Sequence, residues 1–297
     1  IRLYTSPNLV DWTLLSENIL ITETRPYGIY FRPKVIKNSD GLYILWVNYL
    51  SNASRPLAAY PDASILVAYS TTPQGPFNDH IVTTAADISL SGAGDFDIFI
   101  DDIDENGNGG IGYIAYDAWE NDHTVIIEQL NSNLTNSLGQ INGSKYITRE
   151  LSPPKHEAPI LFKHNSYYYL LYGHTCCFCH EGSGAEVMIS SMSPLGPWYP
   201  LNNSNDGKQI ELNPRNSHSL YHTIPGQNSF IIQVHVSSSP SSSSVIFVND
   251  KWTSSADGLK SHDLQYWQPL VFNDSTTPPT ILPLEYQDWF ELDIGIQ

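Results

Sequence analysis

Short runs rich in Tyr, Ile, Leu and Val recur along the chain, each opened by a polar turn with Gly or Asn. They are Gly41–Tyr49, Gly112–Tyr116, Ser166–Tyr172 and Asn228–Val236. Their Tyr, Ile, Leu and Val follow the period of two that sends successive side chains to opposite faces of a strand, and the helical period is nearly absent. The pattern predicts an all-β chain. A longer repeat overlies it: Val67–Phe77 and Met188–Trp198 match closely, with Pro73 aligned on Pro194. Weaker copies at Leu3–Trp12, Glu128–Leu134 and Ser261–Trp267 set the spacing at about 60 residues, the length of one four-stranded propeller blade. Four aromatic strands and five outer ends predict a five-bladed β-propeller over residues 1–297, a single domain whose first blade is incomplete at the N-terminus. A β-sandwich, the alternative, leaves a repeat of this length unexplained. The run Ser237–Ser244 reads as a long hairpin loop between two strands.

Composition narrows the partners. In 297 residues, 14 Lys+Arg stand against 31 Asp+Glu, a formal charge of −17. Phosphate binding needs clustered cations, so nucleic acid and anionic membrane surfaces are excluded as expected partners. The longest apolar runs, such as Tyr167–Tyr172, have strand length, and no membrane span is expected. A hydrophobic share of 41% can fill a core, while 18 Tyr and a low charged fraction of 15% suit a protein handling neutral, hydroxyl-rich ligands. Asn-x-Ser/Thr sequons begin at Asn52, Asn133, Asn142, Asn202 and Asn273, in keeping with a secreted, extracellular glycoprotein. The chain opens on Ile1 in a strand-like segment and is expected to be a processed or partial chain. A monomer is expected.

Two carboxylates stand apart from the surface acids. Glu157 sits in Lys155-His156-Glu157-Ala158-Pro159, and Asp95 in Gly94-Asp95-Phe96-Asp97, at corresponding places one blade apart, just before an aromatic strand. Paired carboxylates on the inner strands of a propeller fit glycoside hydrolysis, in which one carboxyl protonates the leaving oxygen. Ordinary capping or turn acids remain the alternative from spacing alone. Asp102–Asn108 has the alternating oxygen ligands of a Ca²⁺ loop. Position twelve would be Tyr113 and not Glu, so an acidic hairpin turn is the simpler expectation and a structural Ca²⁺ the alternative. The three cysteines, Cys176, Cys177 and Cys179, permit at most one internal bridge. A zinc site on them lacks a second ligand pair at suitable spacing, although His174 and His180 flank the cluster.

An ordered set of segments resembles glycoside hydrolase family 43, and within it the exo-β-1,3-galactanase branch. These are Arg32-Pro33-Lys34-Val35-Ile36 before Gly41-Leu42-Tyr43, Asp95 with Ile98-Phe99 and Asp101-Asp102, Glu157-Ala158-Pro159 leading into Phe162-Lys163, Ser193–Trp198, and Asn249–Trp252. The resemblance runs from about Leu3 to Leu292. It implies a five-bladed propeller and an inverting, exo-acting glycosidase on galactan-type side chains that needs no cofactor. Glu157 would be the general acid and Asp95 the residue that tunes its pKa, with Asp97 the nearby competitor. Three departures matter. The family's usual base Asp lies on a first inner strand outside this chain. The galactanase branch places a Gln in the last blade, and His218 stands at about that point, a candidate to act as base or to bind the sugar or a central water, with a structural histidine as its alternative. Phe31 replaces a sugar-contacting Glu. Arg32 is a candidate hydroxyl ligand, with a structural ion pair as its alternative. Trp119 is a candidate for stacking on a sugar ring, and Trp198 one for the core. His174 opens the cysteine segment, which in the family borders the sugar pocket and is expected to be braced by one disulfide or by a strained vicinal one. The rival functions are an α-L-arabinofuranosidase or β-xylosidase of the same family, and a propeller that binds carbohydrate without cleaving it.

Overall fold

The computed structural model describes residues 1–23, 25–51, 63–77, 79–82, 92–101, 110–119, 122–139, 145–146, 156–176, 179–203, 206–235 and 243–292. The acidic stretch Asp102–Asn108, the thiol of Cys177 and most of the run from Ser237 to Ser244 lie outside them. The described residues are all-β, with helix confined to short 3-10 turns such as Lys260–His262. Among them, no helix is long and apolar enough to cross a membrane.

Contacts divide the chain into two compact units, Ile1–Pro153 and Pro154–Gln297. The first opens with a hairpin of β1 (Leu3–Thr5) and β2 (Thr13–Ser16). Two four-stranded antiparallel meanders follow in chain order. One is β3 (Ile29–Lys37), β4 (Tyr43–Leu50), β5 (Ala63–Ser70) and β6 (Asp79–Val82); the next is β7 (Ala93–Asp101), β8 (Ile111–Ala118), β9 (Thr124–Gln129) and β10 (Lys145–Tyr146). Strand β4 shows why these runs are apolar at nearly every position. Ile44 and Trp46 pack with Phe96, Ile114, Tyr116 and Ile126 of the next sheet, while Leu45 and Val47 face Ile19, Leu20 and Phe77. Both faces are covered, so alternation gives way to a continuous hydrophobic strand. The Trp46 indole N–H donates to the Leu134 carbonyl at 2.9 Å, which satisfies the one polar atom carried into that layer.

The second unit holds a third meander, β11 (His156–His164), β12 (Tyr167–His174), β13 (Glu186–Ser190) and β14 (Tyr199–Pro200). A three-stranded sheet follows, β15 (Gln227–His235), β16 (Ser243–Lys251) and β17 (Leu264–Pro269), and then a short pair, β18 (Phe272–Asn273) and β19 (Thr280–Ile281). One core fills it, with Ile160, Phe162, Tyr169, Leu171 and Val187 against Val245, Phe247 and Tyr266.

The strong sequence repeat has a structural cause. β5 and β13 are the third strands of their sheets, and each ends on a serine, Ser70 or Ser190, whose hydroxyl accepts a backbone N–H two residues on. Each then enters a turn with a cis Gly–Pro bond, Gly75–Pro76 or Gly196–Pro197. One expectation is corrected. Gly41–Tyr49, Gly112–Tyr116 and Ser166–Tyr172 fall on second strands, whereas Asn228–Val236 falls on the first strand of its sheet, and β16 holds the second place. The first strands β3 and β11 escaped the alternation pattern because Pro33 and Pro159 interrupt them. Each proline sits in a β-bulge, between Phe31 and Lys34 and between Glu157 and Ile160, where a missing N–H leaves no gap in the ladder.

Candidate active site

The bulge recurs at the same place in all four long sheets. Besides the two proline bulges, the register shifts between Ala93 and Phe96 in β7 and between Asn228 and Phe230 in β15. The candidate residues Phe31, Arg32, Asp95 and Glu157 all lie at these bulges, on the strands that directly precede the aromatic strands. A bulge re-aims side chains that a regular pleat would send to alternate faces, and such features concentrate beside functional sites. Arg32 and Ala158 carry positive φ, 48° and 55°, in the left-handed region that non-glycine residues seldom adopt.

In the first unit Arg32 grips Asp95 with two parallel bonds, Nε to Oδ1 at 2.6 Å and Nη2 to Oδ2 at 3.0 Å. Lys34 Nζ lies 3.1 Å from Asp97 Oδ1, so the two acids that compete in the sequence each have their own cation. Phe31, half-buried, stands opposite Asn48 on β4. Asn48 is buried, and its amide donates to the carbonyls of Ala93 and Gly94, which holds the backbone leading into Asp95. Gly94 is obligatory there: a Cβ would lie 1.8 Å from the Trp119 indole nitrogen. Trp119 thus packs over the backbone beside Asp95, half-buried. Behind it Asp117, fully buried, meets His123 Nδ1 at 3.0 Å through Oδ2. Burial raises the Asp117 carboxyl to about 7, with the hydrogen bond from His123 opposing.

In the second unit Glu157 stands second in β11, only 4% exposed. Two donors converge on its Oε1: Gln227 Nε2 at 2.6 Å and the Cys176 backbone N–H at 2.8 Å. Cys176 is bridged to Cys179, so a disulfide does brace the segment that follows β12. That also removes both sulfurs from any metal site. Gln227, first in β15, is not among the sequence candidates, whose last-blade residue is His218. The structure puts His218 on an exposed turn, with the Ser219 N–H on the Asn216 carbonyl at 3.1 Å. The signal that could have found Gln227 is its place at the start of the strand after Pro225-Gly226, just ahead of a bulge as His156 and Glu157 are in β11. Trp198 is half-buried, its indole N–H on the Pro194 carbonyl at 3.1 Å.

Beside Glu157 lies a polar cluster carried by three neighbouring strands. His156 on β11 faces His174 on β12 in register, and Glu186 opens β13 opposite Tyr172. Glu186 reaches His174 Nε2 at 3.3 Å and comes within 3.9 Å of His156 Nε2. The hydrogen bond with Glu186 raises the His174 pKa against the opposing effect of burial. Burial lowers His156 to about 4. Glu211 is raised to about 7 by burial, although the backbone N–H groups of Ala185 and Asn213 point at it. His222, buried, meets the Asn213 carbonyl through Nδ1 at 2.6 Å.

Glycosyl hydrolases family 43 matches over residues 1–244. An exo-β-1,3-galactanase from Phanerochaete chrysosporium, solved with galactose, is 25% identical with a TM-score of 0.65, over 95% of this chain and 56% of its own. An exo-β-1,3-galactanase from Clostridium thermocellum is 24% identical with a TM-score of 0.68, over 94% of this chain and 55% of its own. The chain therefore spans a little over half the length of these relatives. At such identities the likeness speaks for the fold. None of the curated proteins matches.

Proposed function

Because the chain belongs to glycosyl hydrolases family 43, we propose that it hydrolyses O-glycosyl bonds, releasing single sugars from the non-reducing end of β-1,3-galactan-type side chains with inversion at the anomeric carbon. The fold proposed with it is one five-bladed propeller. The observation that carries the reading is Glu157, a buried carboxyl at a strand bulge with two N–H donors on one oxygen. This carboxyl is the group that hands its proton to the departing sugar oxygen. Water attacks from the opposite face.

Gln227 and Cys176 hold Glu157 in one rotamer, a requirement for proton transfer over hydrogen-bond distance. Asp95 keeps the pKa-tuning role that the family resemblance gives it, and Arg32 fixes the Asp95 carboxylate by its two-pronged grip. Trp119 offers a flat apolar face for a sugar ring. His174 is the candidate polar contact at the rim. The Cys176–Cys179 bridge supports an oxidising, extracellular setting. One observation favours a second specificity: Phe31 is an apolar side chain where the galactanase branch is expected to hold a sugar-contacting Glu.

The test is incubation of the protein with β-1,3-galactan, arabinan and xylan oligosaccharides, with the products separated and identified. Release of galactose alone supports the proposal. Release of arabinose or xylose transfers the mechanism to the second specificity. If nothing is released while binding is measurable, the protein is a carbohydrate-binding propeller and the enzymatic reading fails.

A further inference from the structure

We propose that His156, His174 and Glu186 form a binding site for a divalent first-row transition cation, of which Zn²⁺ is the representative. The three residues come from adjacent strands, β11, β12 and β13, at the end of the sheet where Glu157 stands, and each offers one ligand atom within 4.8 Å of the others. Ligand bonds of about 2.1 Å in a tetrahedron place donor atoms roughly 3.4 Å apart. The His174 Nε2 to Glu186 Oε1 distance is 3.3 Å, and His156 Nε2 to Glu186 Oε2 is 3.9 Å, so each histidine already stands near that spacing from the shared carboxylate.

His156 supplies an independent reason. It is 3% exposed, its Nδ1 has no hydrogen-bond partner, and its Nε2 lies beyond hydrogen-bond length from the Glu186 carboxylate. A buried imidazole whose nitrogens lack partners is costly, and a metal ion at Nε2 would give that nitrogen a ligand bond and leave the proton on Nδ1. The edge of His156 against the Tyr172 ring, centroids 4.5 Å apart, fixes the plane of the imidazole. Two imidazoles with one carboxylate select borderline cations over Ca²⁺ and Mg²⁺, which prefer all-oxygen sets. Three protein ligands would leave at least one coordination position for water or a sugar hydroxyl. Nothing in this site depends on the cysteines or on the family's expected chemistry.

The protein is stripped with chelator, exchanged into metal-free buffer and titrated calorimetrically with Zn²⁺, beside the His174→Ala and Glu186→Gln variants. The expected result is one Zn²⁺ per chain in the wild type, affinity at least tenfold weaker in each variant, and no competition from Ca²⁺. A rise in Tm on adding Zn²⁺ should accompany binding in the wild type and vanish in both variants. His174 is half exposed, so its truncation leaves the core intact, and circular dichroism checks both folds. No binding by the wild type, or equal affinity in all three proteins, overturns the site.

Discussion

The Arg32–Asp95 pair decides how the first unit's candidate site is built, and a double-mutant cycle measures it. Both side chains are nearly out of solvent, at 7% and 12% exposure, with two bonds of 2.6 Å and 3.0 Å between them. Removing one partner from such a pair leaves an uncompensated charge and costs about 3–5 kcal/mol, whereas an exposed pair is worth about 0–1 kcal/mol. Arg32→Met and Asp95→Asn should each lower stability by several kcal/mol. The double variant should lose much less than the sum, since it buries no charge, and a coupling of about 2 kcal/mol or more is expected. The assay is urea unfolding of the four proteins at one pH, followed by tryptophan fluorescence. Single losses below about 1 kcal/mol, or losses that simply add, would refute the structural pairing and return Arg32 to the role of a mobile hydroxyl ligand.

Two further outcomes are expected. Cys179→Ser, or reduction of the Cys176–Cys179 bond, should loosen the Cys176 N–H from Glu157 and lower kcat roughly 2–10-fold, the worth of one hydrogen bond. For the reduced wild type, reoxidation should restore it; unchanged kcat after verified reduction would count against the brace. Asp117 ionises at 3.8 when unfolded and at about 7 when folded, so its neutral form stabilises the fold at low pH and that stability is lost as pH rises towards about 7. Asp117→Asn should therefore gain on the wild type by about 1.4 kcal/mol per pH step across that range and level off above it, read as urea midpoints from pH 5 to pH 8. A gap independent of pH would contradict the raised carboxyl.

Much of the architecture was legible because period-two runs and the 60-residue repeat report strands and sheets directly. The copies Val67–Phe77 and Met188–Trp198 fell on equivalent strands and turns, since the same serine cap and Gly–Pro turn close both. The first strands were hidden. Pro33 and Pro159 read as breaks, although a bulge admits them, and the assignment slipped by one strand where the Ser/Pro run separates β15 from β16. Glu157 and Asp95 stood out through local context. Gln227 did not, because its relation to Glu157 is a contact between residues 70 apart, set by strand register and invisible to spacing. The same holds for Glu186, which joins two histidines only once three strands are aligned.

The central claim is that Glu157 is the general acid, and leaving-group dependence tests it most directly. Wild type and Glu157→Gln are compared on β-1,3-galactobiose, whose departing sugar hydroxyl needs a proton, and on a dinitrophenyl β-galactoside, whose phenolate leaves without one. The account predicts a loss of roughly 10²–10⁴-fold on the disaccharide and little or none on the activated substrate. Equal losses on both, or none on either, would contradict it.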